Sequence, residues 1–139
     1  MIPSSTSIVI VDTDVFSYLW RNAPEADPYK QHLLGVIPAL TFVTIGELYK
    51  GAFGDHWGDR WLASLDANIR DYLPIPLDES VARMWARIQT SIPSCKFPEN
   101  DAWIAACTLV YGCPLLSHDR RDFHDIPGIQ LITYAPQHS

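Results

Sequence analysis

The 139-residue sequence predicts an α/β fold, with a mostly parallel five-stranded sheet sandwiched between two layers of helices. Three observations carry that expectation. Short apolar runs alternate with amphipathic stretches along the chain, the pattern of strands joined by crossover helices. The first run, SIVIV at residues 7–11, is apolar at consecutive positions, as in a central parallel strand covered on both faces. No repeat, low-complexity tract or linker breaks the pattern, so residues 1–139 are expected to form one domain.

The elements follow in order. After the strand at 7–11, a helix is expected over 15–21 with Phe16 and Leu19 inward, then a second over 24–35 with a poor apolar pattern. Residues 40–43 read as the second strand. Thr44-Ile45-Gly46-Glu47 has the form of a capping box, opening a short helix closed by Gly51 and Gly54. A helix over 59–70 places Trp61, Leu62, Leu65 and Ile69 on one side. Residues 72–75 form a short strand, and Pro74 puts it at a sheet edge. Asp78 caps a helix whose Val81, Met84, Trp85 and Ile88 repeat at helical spacing until Pro93. The acidic start at 98–101 opens another helix, stopped by Gly112 and Pro114. A strand at 115–117, a helical turn at 120–124 and a last strand at 129–134 complete the chain.

Composition bounds the chemistry. The hydrophobic fraction of 47% and charged fraction of 19% fit a globular core. No apolar run approaches the roughly 20 residues that a spanning helix needs, and the N-terminus lacks the features of a secretion signal, so a cytoplasmic, membrane-free location is expected. Cys95, Cys107 and Cys113 show no CxxC spacing, and Cys107 reads as a small buried thiol. The net charge of −6 argues against a broad electrostatic nucleic-acid binder, yet it allows an enzyme whose metal-charged pocket attracts phosphate locally.

The informative residues are acidic. Asp12 follows SIVIV, Glu47 follows LTFV, Asp119 follows PLL, and Asp101 opens the core-facing stripe of DAWIAACTLV. In a parallel sheet, ligands bind outside the carboxyl ends of the strands, where Asp12, Glu47 and Asp119 fall. Carboxylates gathered near a low-dielectric place need something positive, most simply a divalent cation, and a carboxylate-held metal suggests phosphate chemistry. Structural roles compete: Asp12 or Asp14 can cap the first helix, Glu47 can serve the capping box, and Asp101 gains from the helix dipole. Asp122 can cap, pair with an arginine or join the acidic site. Ser117 can hydrogen-bond a carboxylate, and His118 reads as a surface or packing residue.

Together the segments IVIVDTDVFSYL, TFVTIGELYKGA, PENDAWIAACTLVYGCPLLSHDRRDF and IPGIQLITY resemble the PIN domain family, and specifically its VapC class of toxin ribonucleases. The resemblance spans nearly the whole chain. It implies a PIN-like α/β/α sandwich in which Asp12, Glu47, Asp101 and Asp119 are catalytic and hold Mg²⁺ or Mn²⁺, with Thr13, Ser117 and Asp122 at secondary positions. It further implies a type II toxin that cleaves tRNA or ribosomal RNA loops, a VapB-like antitoxin partner and a homodimer. Asp14 stands where the family usually has Asn, Ser117 where Thr is frequent and His118 where Arg is frequent; no proposed ligand is lost.

Lys50, Lys96, Arg120 and Arg121 lie near the site elements in sequence and are candidate RNA contacts. Trp57 and Trp61 can stack on a base or pack against a partner, with Trp61 assigned to the core. Two other readings fit parts of the chain. Val11-Asp12-Thr13-Asp14-Val15 resembles the opening of haloacid-dehalogenase-like phosphatases, and an acidic cleft alone could serve a non-catalytic module that binds a basic peptide.

Overall fold

The computed structural model describes residues 7–91 and 98–137. The expected stop at Pro93, together with Cys95 and Lys96, lies outside the described residues. Five strands form one sheet in the order β3-β2-β1-β4-β5: β1 (Ile8–Val11), β2 (Ile37–Thr41), β3 (Leu73–Ile75), β4 (Leu115–Leu116) and β5 (Leu131–Ile132). Every pairing is parallel, so the sheet is parallel throughout rather than mostly so.

Consecutive strand residues serve opposite faces. Ile10, Ala39 and Leu115 join one buried cluster, with Val81 and Ile88 of α5 (Glu79–Ser91) and Ala102, Ile104, Ala105, Ala106 and Cys107 of α6 (Glu99–Tyr111). Val9, Val11, Leu40 and Leu116 join the other, with Val15 and Phe16 of α1 (Thr13–Trp20), Leu48 of α3 (Phe42–Gly54) and Leu65 of α4 (Asp59–Ile69). Two-sided burial explains why the strands are apolar without alternation. The expected three layers are present.

Local corrections have identifiable causes. The second strand ends at Thr41, whose extended backbone (φ −73°, ψ 158°) and Oγ1, accepting the Thr44 amide at 3.2 Å, cap α3. The helix cap therefore lies three residues before the expected one, Thr44 is internal, and Glu47 is released from capping. The helix expected over 24–35 is broken into a 3₁₀ turn at Pro24–Ala26, α2 (Asp27–Lys30) and a 3₁₀ turn at Gln31–Leu33. Pro28 removes a donor there, and only Ala26 and Tyr29 are buried. Trp61 was assigned to the core but is 64% exposed. It lies one turn ahead of buried Leu65, and its ring meets Trp20 edge-on at 6.2 Å.

Other expectations hold. Asp78 Oδ1 accepts the Val81 amide at 3.0 Å. Gly112 ends α6 in the left-handed region at φ 63°, where a side chain would be strained. Pro74 lies in edge strand β3, and Cys107 is fully buried. No helix among the described residues is long and apolar enough to cross a membrane.

Candidate metal centre

The strand order sets the place. β1 has β2 on one side and β4 on the other, so the connections run away from β1 in both directions; a crevice opens at such a switch point. Val11 pairs with Leu116, and the ladder continues as the Asp12 amide donates to the Leu116 carbonyl at 2.9 Å. Asp12 and Ser117 thus leave adjacent strand ends side by side. The Ser117 hydroxyl donates to Asp12 Oδ2 at 2.7 Å and accepts the Asp119 amide at 3.0 Å. Ser117 is fully buried and Asp12 is 6% exposed.

Asp12 also caps α1, its Oδ1 accepting the Thr13 amide at 2.8 Å. Its Oδ1 thus serves the helix cap and its Oδ2 the Ser117 hydroxyl. Asp14 accepts the Val15 amide at 2.6 Å and the His118 amide at 3.1 Å, which ties α1 to the end of β4. From α3, Glu47 reaches back across the crevice. The Thr13 hydroxyl donates to its Oε1 at 2.7 Å, and Asn100 Nδ2 donates to its Oε2 at 3.3 Å. Asn100 had drawn no attention in the sequence beyond the acidic start of its helix.

Opposite, Asp101, Asp119 and Asp122 each offer a carboxylate oxygen within 4.8 Å of the others. Asp101 stands in the first turn of α6, on the side of buried Ile104, Ala105 and Thr108. Asp119 caps α7 (Arg120–Phe123) by accepting the Asp122 amide at 3.2 Å, so the turn that Asp122 follows also swings it toward Asp101.

Electrostatics join the two groups. Burial, then the Asp14 charge, hold Asp12 up at about 7 despite its hydrogen bonds from Ser117 and Thr13; Glu47 adds to the rise. Burial, then the hydrogen bond with Asp122, then the charge of Asp12 hold Asp101 up at about 8. Burial and the same hydrogen-bonding Asp122 raise Asp119. No lysine or arginine pairs with any of them among the described residues. An all-oxygen donor set of mutually raised carboxylates fits a hard divalent cation such as Mg²⁺ or Mn²⁺ and does not resemble a zinc site.

The basic candidates separate. Arg120 donates from Nη2 to the Ala135 carbonyl at 3.1 Å and its Nε is buried, so its guanidinium holds the C-terminal segment. Lys50 and Arg121 are exposed. Trp57 packs on Trp20 at a ring distance of 5.2 Å, lining a cleft of about 330 Å³ that reaches Thr13 and Glu47. His118 is a packing residue, with its Nδ1 2.7 Å from the hydroxyl of buried Tyr29. Tyr29 escaped the sequence reading because its segment lacks a helical apolar period.

A PIN domain family model matches residues 9–129. Ribonuclease VapC4 of Mycobacterium tuberculosis is 30% identical over 129 residues, covering 89% of this chain and 95% of that protein. Ribonuclease VapC1 of Haemophilus influenzae is 25% identical over 127 residues, covering 88% and 95%. The solved VapBC-1 from nontypeable Haemophilus influenzae superposes with a TM-score of 0.72 at 26% identity, covering 91% of this chain and 97% of that one. VapBC2 from Rickettsia felis, bound to a DNA fragment from its promoter, gives a TM-score of 0.81 at 18% identity, covering 91% and 98%; at that identity the likeness is one of fold.

Proposed function

The chain belongs to the PIN domain family, and we propose that it is a divalent-metal-dependent endoribonuclease, the toxin of a type II toxin–antitoxin pair acting in the cytosol. The observation that carries this reading is the convergence of Asp101, Asp119 and Asp122, brought together by α6 and the turn after β4 with carboxylate oxygens within 4.8 Å of one another, while the charge of Asp12 at the end of β1 acts on Asp101. The ribonucleases among its relatives support the substrate class, and the solved VapBC-5 from Mycobacterium tuberculosis, a member of the VapBC family of toxin–antitoxin systems, supports a VapB-like antitoxin as partner. Family membership also sets aside the haloacid-dehalogenase alternative.

Bound Mg²⁺ or Mn²⁺ supplies an acidified water and offsets charge growing on the phosphate oxygens. The residues divide the remaining work. Asp12, Asp101 and Asp119 would hold the ion directly or through water, and Asp122, beside Asp101, would add a further oxygen donor. Ser117 keeps Asp12 turned toward the cage while supporting the Asp119 backbone. Thr13 clamps Glu47 through Oε1, which leaves Oε2, with its longer 3.3 Å contact to Asn100, to orient the attacking water or a second ion. Lys50 and Arg121 contact flanking phosphates of a tRNA or ribosomal RNA loop.

The test uses the purified chain, freed of its antitoxin, on mixed RNA with Mg²⁺, Mn²⁺ or EDTA. Cleavage that needs the divalent ion and disappears in Asp101→Asn supports the proposal. Cleavage that persists in EDTA, or in the folded variant, overturns it.

A further inference from the structure

One face beside the carboxylates is built from rings, and the mechanism above leaves it unused. Arg21 lies with its guanidinium carbon 5.8 Å from the Tyr18 ring centre. The row then continues from Tyr18 to His118 at 5.5 Å, His118 to Tyr29 at 5.8 Å, Tyr29 to Tyr134 at 5.1 Å and Tyr134 to His32 at 5.7 Å. Tyr29 is fully buried beneath the others and orients them. Its hydroxyl meets His118 Nδ1 at 2.7 Å and the Ser117 carbonyl at 3.3 Å, and it accepts the Tyr134 amide at 2.9 Å. Tyr134 is 41% exposed, and its hydroxyl is held 2.6 Å from His32 Nε2. The Tyr18 hydroxyl has no hydrogen-bond partner among the described residues.

Charge separates this face from the opposite wall of the crevice. Beside the rings, Asp14 turns its carboxylate to two backbone amides and Asp27 pairs with Lys30 at 3.1 Å, while the charges of Asp14 and, less, Glu25 act on Tyr18 against the cation of Arg21. On the other wall the cleft around Trp20 and Trp57 is lined by two carboxylates, Glu47 and Asp55, against the one cation of Arg21, which stands between the two faces, and the indole N–H of Trp20 is already given to Ser64 at 3.1 Å. A polyanionic strand leaving the centre avoids that wall. Unpaired bases offer π-faces that exposed aromatic rings accept with little regard to sequence.

Resting on the nuclease reading, we infer that Tyr18, Tyr134 and His32, held around the packing residue His118, form a stacking subsite for unpaired bases of the RNA strand flanking the scissile phosphate. Tyr18 is the base platform nearest the centre, because the neighbouring His118 adjoins Asp119 in the chain and donates its amide to Asp14.

The probe is a fluorescent, unstructured ten-nucleotide oligoribonucleotide, titrated in Mg²⁺ against the full chain carrying Asp101→Asn to prevent turnover. Adding Tyr18→Ala or Tyr134→Ala is expected to weaken binding about fivefold or more per lost platform. Tyr18→Trp retains affinity, and Trp57→Ala leaves it unchanged. An abasic oligomer of the same length loses the dependence on Tyr18. Thermal melts verify folding, and Tyr18→Leu, which keeps bulk without a π-face, repeats the loss where the alanine variant is unstable. Binding indifferent to both tyrosines, or lost with Trp57→Ala instead, overturns the assignment, as does failure of the oligomer to bind. Tyr18-dependent binding by a wild-type chain that cleaves nothing would sink the nuclease reading alone; cleavage with Tyr18-independent binding would sink the stacking row alone.

Discussion

Two halves of the acidic centre solve opposite problems. Asp12 and Glu47 are met by neutral donors: the Ser117 hydroxyl and Thr13 amide for one, the Thr13 hydroxyl and Asn100 amide for the other. Asp101, Asp119 and Asp122 lean on one another, sharing hydrogen bonds that raise Asp101 and Asp119 and, among the described residues, receiving only the Asp122 amide from outside their side chains. The first half is a scaffold in which hydroxyls fix oxygen positions before any ligand arrives. The second holds negative charge that the fold leaves uncompensated. Preorganisation and stored repulsion therefore sit on different elements, and substitutions in the two halves should move stability in opposite directions.

The largest effect belongs to the crowded half. Asp101→Asn keeps the shape of the side chain and removes a charge from the cluster. Cleavage should fall by about 10³-fold or more, since several kcal/mol of transition-state stabilisation depend on the ion's ligands. In the absence of divalent ions the same variant should melt roughly 3 °C higher, measurable by calorimetry in EDTA. A lower melting point would erase the contrast between the halves.

Ser117→Ala makes the complementary test. It leaves buried Asp12 without its hydroxyl partner and the Asp119 amide without an acceptor. Losing a buried hydrogen bond costs about 1–3 kcal/mol, so this variant should melt lower than wild type in EDTA. Mg²⁺ affinity by titration calorimetry should drop about 10- to 100-fold, the usual cost of losing a group that orients a ligand. Thr13→Val probes the scaffold from its other end by freeing Glu47. A decrease of about tenfold in cleavage is expected, with Mg²⁺ affinity nearer to wild type than in Ser117→Ala. Equal losses of ion binding in the two variants would mean that Glu47 belongs with the primary ligands.

How much of this was legible before folding depended on the range of the signal. Asp12 and Asp119 stood out because an apolar run ending in a carboxylate is a local pattern, and a parallel sheet gives such ends a common direction. Asp101 was legible from the period of its own helix. Thr41 and Thr44 could not be told apart as helix caps, because both are threonines near the end of the same apolar run. Strand pairing decided it: Thr41 pairs with Ile75 of β3, which holds it extended. Tyr29 was invisible for a related reason. Its hydroxyl serves residues 117, 118 and 134, about a hundred positions away, and the segment around Pro28 has no periodicity to announce burial. Trp61 misled because helical spacing gives a face without giving how far along the helix the core extends.

The smallest expected effect is the pH dependence of the metal-free protein, and it bears most directly on stored repulsion. Asp12 and Asp101 have folded-state values of about 7 and about 8, against an ordinary 3.8. Between those limits the folded chain binds more protons than the unfolded one, so stability falls as pH rises. Their contribution is fully present below about 4 and is lost as pH climbs through 7 to 8. Asp78, lowered chiefly by its hydrogen bond from Tyr111, acts in the opposite sense, but only as pH drops through the acidic range below that window. In EDTA the melting temperature should therefore decline by roughly 3 °C between pH 5 and 8.5, and Asp101→Asn should flatten the slope. Saturating Mg²⁺ should reverse it, because the ion binds the deprotonated carboxylates and stabilises more as protons leave. A melting temperature independent of pH in EDTA would show that the clustered aspartates carry no strain for a cation to relieve.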